Sequence, residues 1–281
     1  MSAQNTAPPQ EQAEPARVER PCPACGTAHD ARADTRVLSR DGWDVVCCRS
    51  CGFVYMPHFA PAEAYIDDLA WEKQFAREGA QRRERSPLLQ RLEDATRWRH
   101  RIIPRARPEN LVRARIDGGR VLDIGCGTGS HALPFVGDFV PYGIELSRAL
   151  AEEANGHFAP HGGHCVHAES RAGLAEFAED FFSAAVLRSY LEHEAYPNEV
   201  LAGLARVLRP GGVAIVKVPN YGSLNRMVMG RKWCGFRVPD HVNYFTKASL
   251  TEMAERHGFR VELPLLWSLP TDDNMWAILH R

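Results

Sequence analysis

Two pairs of cysteines have the spacing of a metal site. Cys22-x-x-Cys25 and Cys48-x-x-Cys51 are each closed by a glycine, Gly26 and Gly52. Four thiolates spaced in this way converge tetrahedrally on one zinc ion, and four protein ligands leave no position for a catalytic water, so such a site is structural. A redox Cys-x-x-Cys is expected once, beside a strand-to-helix junction, and not twice in glycine-closed turns. Cys47 offers the alternative spacing Cys47-x-x-x-Cys51, but Cys48 repeats the first pair's spacing and is preferred.

A second group of residues suits a small ligand. Residues 121–129 read Val-Leu-Asp-Ile-Gly-Cys-Gly-Thr-Gly, an apolar run carrying Asp123, then glycines at 125, 127 and 129. Alternate glycines end a strand in a turn that backbone and ligand can approach closely. Glu145 follows Gly125 by 20 residues, and a carboxylate there can accept two hydrogen bonds from the vicinal hydroxyls of a ribose. Further on, Tyr190-Leu191-Glu192-His193 brings a carboxylate and an imidazole together. With an ordinary pKa near 6.5, His193 can accept a proton as a neutral base. It can equally be a structural histidine capping its loop.

These residues need elements to position them. The apolar runs predict strands at 121–124, 139–144, 164–167, 183–188, 213–218, 260–263 and 275–280, alternating with helices at 150–158, 198–208 and 247–257. Ser130 is read as the start of a helix after the glycine loop. Strands alternating with helices imply an α/β fold, a doubly wound, Rossmann-like sheet of seven strands whose last hairpin supplies the antiparallel edge. Ligands bind such sheets at the carboxyl ends of the strands.

The dinucleotide fingerprint requires Gly-x-Gly-x-x-Gly, whereas this chain has Gly-x-Gly-x-Gly with a carboxylate inside the strand. At Asp123, Gly125, Cys126, Gly127, Thr128 and Gly129 it resembles the first motif of the class I S-adenosylmethionine-dependent methyltransferases. The resemblance continues through the turn Arg209-Pro210-Gly211-Gly212, the apolar strand after it and Pro219-Asn220, a pattern of the small-molecule branch. It implies that Glu145 holds the cofactor's ribose, that Glu169 contacts the adenine end and that Tyr190 borders the cofactor. For Glu169, placement at a helix N-terminus is an equally physical reading. The segment at Glu192-His193 also looks like that of the ubiquinone-biosynthesis O-methyltransferases, which implies a divalent metal on those two residues as an alternative to His193 acting as base. His241, in Pro239-Asp240-His241, is the second candidate base.

Composition sets the remaining bounds. The chain of 281 residues has 34 basic and 35 acidic side chains, a balance that argues against a surface broadly devoted to nucleic acid. No apolar run is long enough to cross a membrane and no signal peptide is apparent, so a cytoplasmic protein is expected. Residues 1–19 read as a disordered leader, 20–58 as a small zinc ribbon, 59–118 as a helical connector and 119–281 as the cofactor-binding domain. Within that domain, 221–243 is an aromatic-rich insertion expected to form a lid or substrate wall. Residues 71–120 hold 13 Arg and one Lys against seven Asp or Glu, a net charge of +7 (14 minus 7). This is either a face for an anionic acceptor or a solvated helical surface.

The leading expectation is therefore methyl transfer to a small-molecule or glycan acceptor, at oxygen. A zinc-ribbon ribosomal RNA base methyltransferase and a non-catalytic cofactor-binding adaptor are the alternatives. The acceptor and the oligomeric state are not legible in the sequence.

Overall fold

Alternate side chains of the strand that precedes the glycine loop go to opposite faces of a central sheet. Leu122 and Ile124 enter one apolar cluster and Val121 the other. A strand buried on both faces must sit inside a parallel sheet covered by helices. The computed structural model describes residues 17–61 and 106–281 and shows this arrangement.

In the ribbon the strands are β1 (Val18–Glu19), β2 (Thr35–Arg40), β3 (Trp43–Cys47), β4 (Val54–Tyr55) and β5 (His58–Phe59). Then follow α1 (Pro108–Arg113), β6 (Gly119–Ile124), β7 (Phe139–Glu145), α2 (Arg148–Phe158), β8 (Cys165–His167), α3 (Ser170–Ala175), β9 (Phe182–Arg188), α4 (Pro197–Val207) and β10 (Leu208–Pro219). The remaining elements are α5 (Leu224–Met229), β11 (Asn243–Tyr244), α6 (Lys247–Glu255), β12 (Arg260–Glu262) and β13 (Asn274–His280).

The seven-stranded sheet has the order β12-β13-β10-β9-β6-β7-β8. β8, β7, β6, β9 and β10 run parallel, and β13 is antiparallel to both of its neighbours. The expected last hairpin is present, but its antiparallel strand is inserted one place inside the edge, which is formed by β12. α3, α4 and α6 cover one face through Leu174, Leu201, Leu204 and Met253. α1 covers the other through Leu111 and Val112. The fold is the expected doubly wound one.

One local expectation fails. The residues after Gly129 form turns and a single 3-10 turn at Leu133–Phe135, not an α-helix beginning at Ser130. Pro134 has no N–H to donate, and Gly137 ends the segment a few residues later, leaving too short a run to nucleate a helix. The glycine loop therefore faces its ligand without a helix N-terminus behind it.

The two cysteine pairs flank the hairpin β2–β3, as their spacing required. Val18 and Glu19, expected in the leader, pair with His58 and Phe59, so the ribbon starts two residues early. Residues 1–16 of the leader and most of the Arg-rich connector lie outside the described residues.

The insertion at 221–243 is built into the ribbon. β11 pairs with β4, giving a four-stranded sheet β11-β4-β3-β2. Tyr221, Trp233, Phe236 and Tyr244 form one apolar cluster with Leu38, Trp43, Val45 and Met56 of the ribbon. The aromatic content that marked this segment is thus its docking core. Trp233 is 2% exposed, and its Nε1 donates to Asp273 Oδ1 at 2.7 Å.

Trp233→Ala is expected to lower unfolding free energy by about 3–5 kcal/mol in urea titration, as emptying a buried indole site does. Met227→Ala, 65% exposed in the same insertion, should stay within about 0.5 kcal/mol of the parent.

Candidate functional site

β6, β7 and β9 end side by side, and the loops that leave them enclose a cavity of about 400 Å³. β6 leads into the glycine loop. A Cβ added at Gly125 would lie 2.6 Å from the Tyr190 ring, so only glycine lets that ring lie against the loop. Gly129 has a different reason. Its φ is +77°, and a Cβ there would come within 2.8 Å of Phe158 on α2.

β7 ends in Glu145, whose carboxylate accepts from the Gly127 N–H at 2.9 Å and the Ser147 N–H at 2.9 Å. The glycine loop and the start of α2 thereby fix its orientation, and each oxygen keeps a further lone pair for a hydroxyl.

After β9 the chain turns at Ser189, whose φ of +54° is unusual for a residue with a side chain. The turn brings Tyr190 under the glycine loop. Tyr190 donates its hydroxyl to Glu194 Oε2 at 2.8 Å, and the Ser170 hydroxyl donates to the same oxygen at 2.8 Å. The other oxygen, Glu194 Oε1, accepts from the Tyr196 N–H at 2.9 Å. Burial, followed by the Glu194 charge, pushes the Tyr190 phenol well above its ordinary value, so it is neutral and a donor.

Of the residues expected at the site, Gly125, Gly127, Glu145, Glu169, Tyr190 and His193 line the cavity. Glu169 precedes α3 without a side-chain cap and pairs with Arg171 at 3.5 Å. Asp123, Cys126, Gly129 and His241 are not among the lining residues. Cys126 belongs to a small apolar cluster with Ala154, Phe158 and Cys165. Asp123 is 7% exposed. Burial pushes its carboxyl up to about 7, against the pull of Arg188.

His193 donates Nδ1–H to the Asp240 carbonyl at 2.9 Å, and His241 donates Nδ1–H to the Gly235 carbonyl at 2.9 Å. A carbonyl only accepts, so in the neutral form of either ring the lone pair lies on Nε2. The rings meet edge to face at 4.7 Å. Burial lowers His193 to about 4, helped by Arg237, so the ring is neutral at physiological pH and a weaker base than an exposed histidine. Glu192 lies beside them, 1% exposed, with Oε2 lacking a hydrogen-bond partner among the described residues. Burial pushes its carboxyl up to about 8. Glu192, His193 and His241 offer ligand atoms within 4.8 Å of one another.

The ribbon's thiols form the second cluster. Cys22 and Cys51 approach to 3.6 Å between sulfurs, and Cys25 and Cys48 to 3.7 Å. Tetrahedral Zn–S bonds of about 2.3 Å require sulfurs about 3.8 Å apart, so the four cysteines fit a zinc ion. Cys47 faces away, donating to the Gly52 carbonyl.

Sequence reasoning missed Glu194, Ser170 and Tyr196, and the ribbon's Phe59 and Ala60, which line the same cavity. Glu194 had a signal, since it follows His193 directly. Phe59 and Ala60 had none, because only the folded ribbon brings them to the sheet edge.

A parallel sheet with a glycine loop after one strand and a carboxylate after the next defines a doubly wound cofactor-binding enzyme. The chain belongs to the family described as "Methyltransferase domain", which matches residues 90–263. It is an S-adenosylmethionine-dependent methyltransferase of class I. The ubiquinone biosynthesis O-methyltransferase of Thiobacillus denitrificans is 31% identical over 163 residues, which are 54% of this chain and 68% of that protein. Its counterpart in Aeromonas salmonicida is 29% identical over 153 residues, 51% of this chain and 64% of that protein. The chain thus spans about two thirds of the length of these relatives. Among solved structures, a SAM dependent methyltransferase from Archaeoglobus fulgidus shares 16% identity with a TM-score of 0.48, covering 65% of this chain and 97% of that one. No helix among the described residues is long and apolar enough to cross a membrane.

The raised Asp123 carboxyl makes a prediction. The folded state holds a proton on Asp123 that the unfolded chain releases near pH 4, so this group's contribution to stability falls as pH rises from about 4 to about 7. Asp123→Asn removes this loss. Its advantage over the parent in urea titration should grow across that window by as much as roughly 4 kcal/mol and then level off.

Proposed function

We propose that the chain transfers a methyl group from S-adenosylmethionine to the oxygen of a small-molecule or glycan acceptor. The observation that carries this reading is the meeting of the glycine loop, Glu145, Tyr190 and His193 around one cavity. The residues fit the cofactor: the loop leaves no room for side chains beside Tyr190, and Glu145 is pre-oriented to accept ribose hydroxyls. Gly125, Gly127, Glu145, Glu169 and Tyr190 would hold it, with Asp123, Cys126 and Gly129 shaping the loop from behind. When bound, S-adenosylmethionine supplies an electrophilic methyl group on a sulfonium.

The protein's part is chiefly alignment, since an in-line displacement needs donor and acceptor held on one axis. His193 is the base of this proposal. Its Nε2 lone pair accepts the acceptor's hydroxyl proton as the new bond to oxygen forms, and the Asp240 carbonyl keeps the ring in the required tautomer. His241 supports His193 from behind. The O-methyltransferase relatives favour oxygen as the acceptor atom and a small acceptor over RNA.

A second reading rests on the orphaned Glu192 oxygen, which with His193 and His241 fits a divalent cation. In that case the three residues hold the metal, and the imidazole Nε2 is a ligand rather than a base.

His193→Ala should lower turnover at least about 100-fold with S-adenosylmethionine affinity retained. Near-normal turnover would remove His193 as base. The histidine's low pKa adds a constraint on pH: its acid limb should lie below pH 5, leaving the rate free of an inflection near 6.5. Loss of activity on treatment with a chelator, restored by magnesium or manganese while the ribbon zinc stays bound, would favour the metal reading.

A further inference from the structure

Arg20 stands two residues before the first zinc cysteine and is 2% exposed. A guanidinium taken out of water must give each N–H an acceptor. Its Nε donates to the Met56 carbonyl at 3.0 Å within the ribbon. Nη1 donates to the Ala195 carbonyl at 2.5 Å, in the loop after β9. Nη2 donates to the Val242 carbonyl at 2.6 Å and to Asn243 Oδ1 at 3.0 Å, in the insertion. Tyr55 and Phe59 face it with ring centroids at 5.7 and 5.9 Å.

Asn243 extends the connection. Its Nδ2 donates to the carbonyls of Leu191 at 2.8 Å and Glu194 at 2.6 Å. The Glu192 carbonyl accepts from the backbone N–H groups of Val242 at 2.8 Å and Asn243 at 3.1 Å. The carbonyls of residues 191, 192, 194 and 195 are therefore all held from the ribbon side. The loop has no strand ladder of its own, and it carries Tyr190, His193 and Glu194 into the cavity.

We propose that Arg20, acting through Asn243, is a positioning residue for the cavity, by which the zinc-folded ribbon sets the geometry of the loop at 190–196. This deepens the methyltransferase reading of the same cavity and rests on it for the ligand used as probe. Lysine keeps the charge but offers one point donor where arginine spans three segments with a planar fork, so Arg20→Lys should not rescue. The contact also differs from Arg40, which joins the ribbon to the Arg231 and Phe236 carbonyls of the insertion without reaching the loop.

The experiment compares full-length wild type, Arg20→Lys, Arg20→Met, Asn243→Ala and Arg40→Met. It reads zinc content, hydrogen–deuterium exchange of residues 190–196 and S-adenosylhomocysteine affinity by calorimetry. Expected for the two Arg20 variants and Asn243→Ala is retained zinc, loop exchange faster by about tenfold or more, and affinity weaker by about tenfold. Arg40→Met should match wild type in the loop. Unchanged loop exchange and affinity in zinc-replete Arg20→Lys and Arg20→Met would overturn the proposal. Zinc loss in both would overturn it too, since the arginine would then serve only the ribbon's own fold. If wild type itself fails to bind S-adenosylhomocysteine, the methyltransferase reading of the cavity fails, while the exchange measurement still decides the positioning role.

Discussion

The site depends on one close approach, that of the Tyr190 ring to the backbone of Gly125. β6 and β9 are neighbours in a parallel sheet, so their exit loops leave from the same edge. Two loops with side chains at the contact would push each other apart. Glycine at 125 removes the obstruction, and the left-handed turn at Ser189 directs the tyrosine inward. The Tyr190 hydroxyl then organises Glu194, and through it Ser170 and the start of α4. The cavity wall follows from sheet order and one missing Cβ.

Burial governs three titratable groups in and beside this wall. Asp123, Glu192 and His193 are all driven toward their neutral forms, and the pull of Arg188 on Asp123 and of Lys217 and Arg237 on Glu192 does not reverse the shift. Glu145 differs from these groups in receiving two backbone N–H groups.

Much of this was legible in the sequence wherever local pattern and chemistry coincide. Alternating apolar runs gave the sheet, the cysteine spacing gave the sulfur cluster, and the glycine spacing separated this loop from a dinucleotide fold. The helix expected at Ser130 failed because Pro134 cannot donate the first bond back to residue 130 and Gly137 ends the run soon after. The insertion was recognised by its aromatic residues, but their target was not, since packing against β2 and β3 leaves no local signature. Arg20 was invisible for the same reason: a lone arginine beside a zinc motif reads as a surface charge until the fold surrounds it. Contacts between residues 20 and 242, 222 positions apart, are set by topology and not by neighbours in the chain.

The pairing of β11 with β4 also bears on how the protein is made. A ribosome releases the ribbon hairpin long before it releases Asn243 and Tyr244. Until then β4 is an open strand edge, and Leu38, Trp43 and Val45 lack the aromatic residues that cover them. Such an edge pairs readily with other chains. The ribbon sheet is complete only after the five parallel strands of the large domain have emerged, with α6, β12 and β13 still to follow. Chains that stop before residue 244 would keep the β4 edge open, so a hairpin released early depends for its cover on residues released much later.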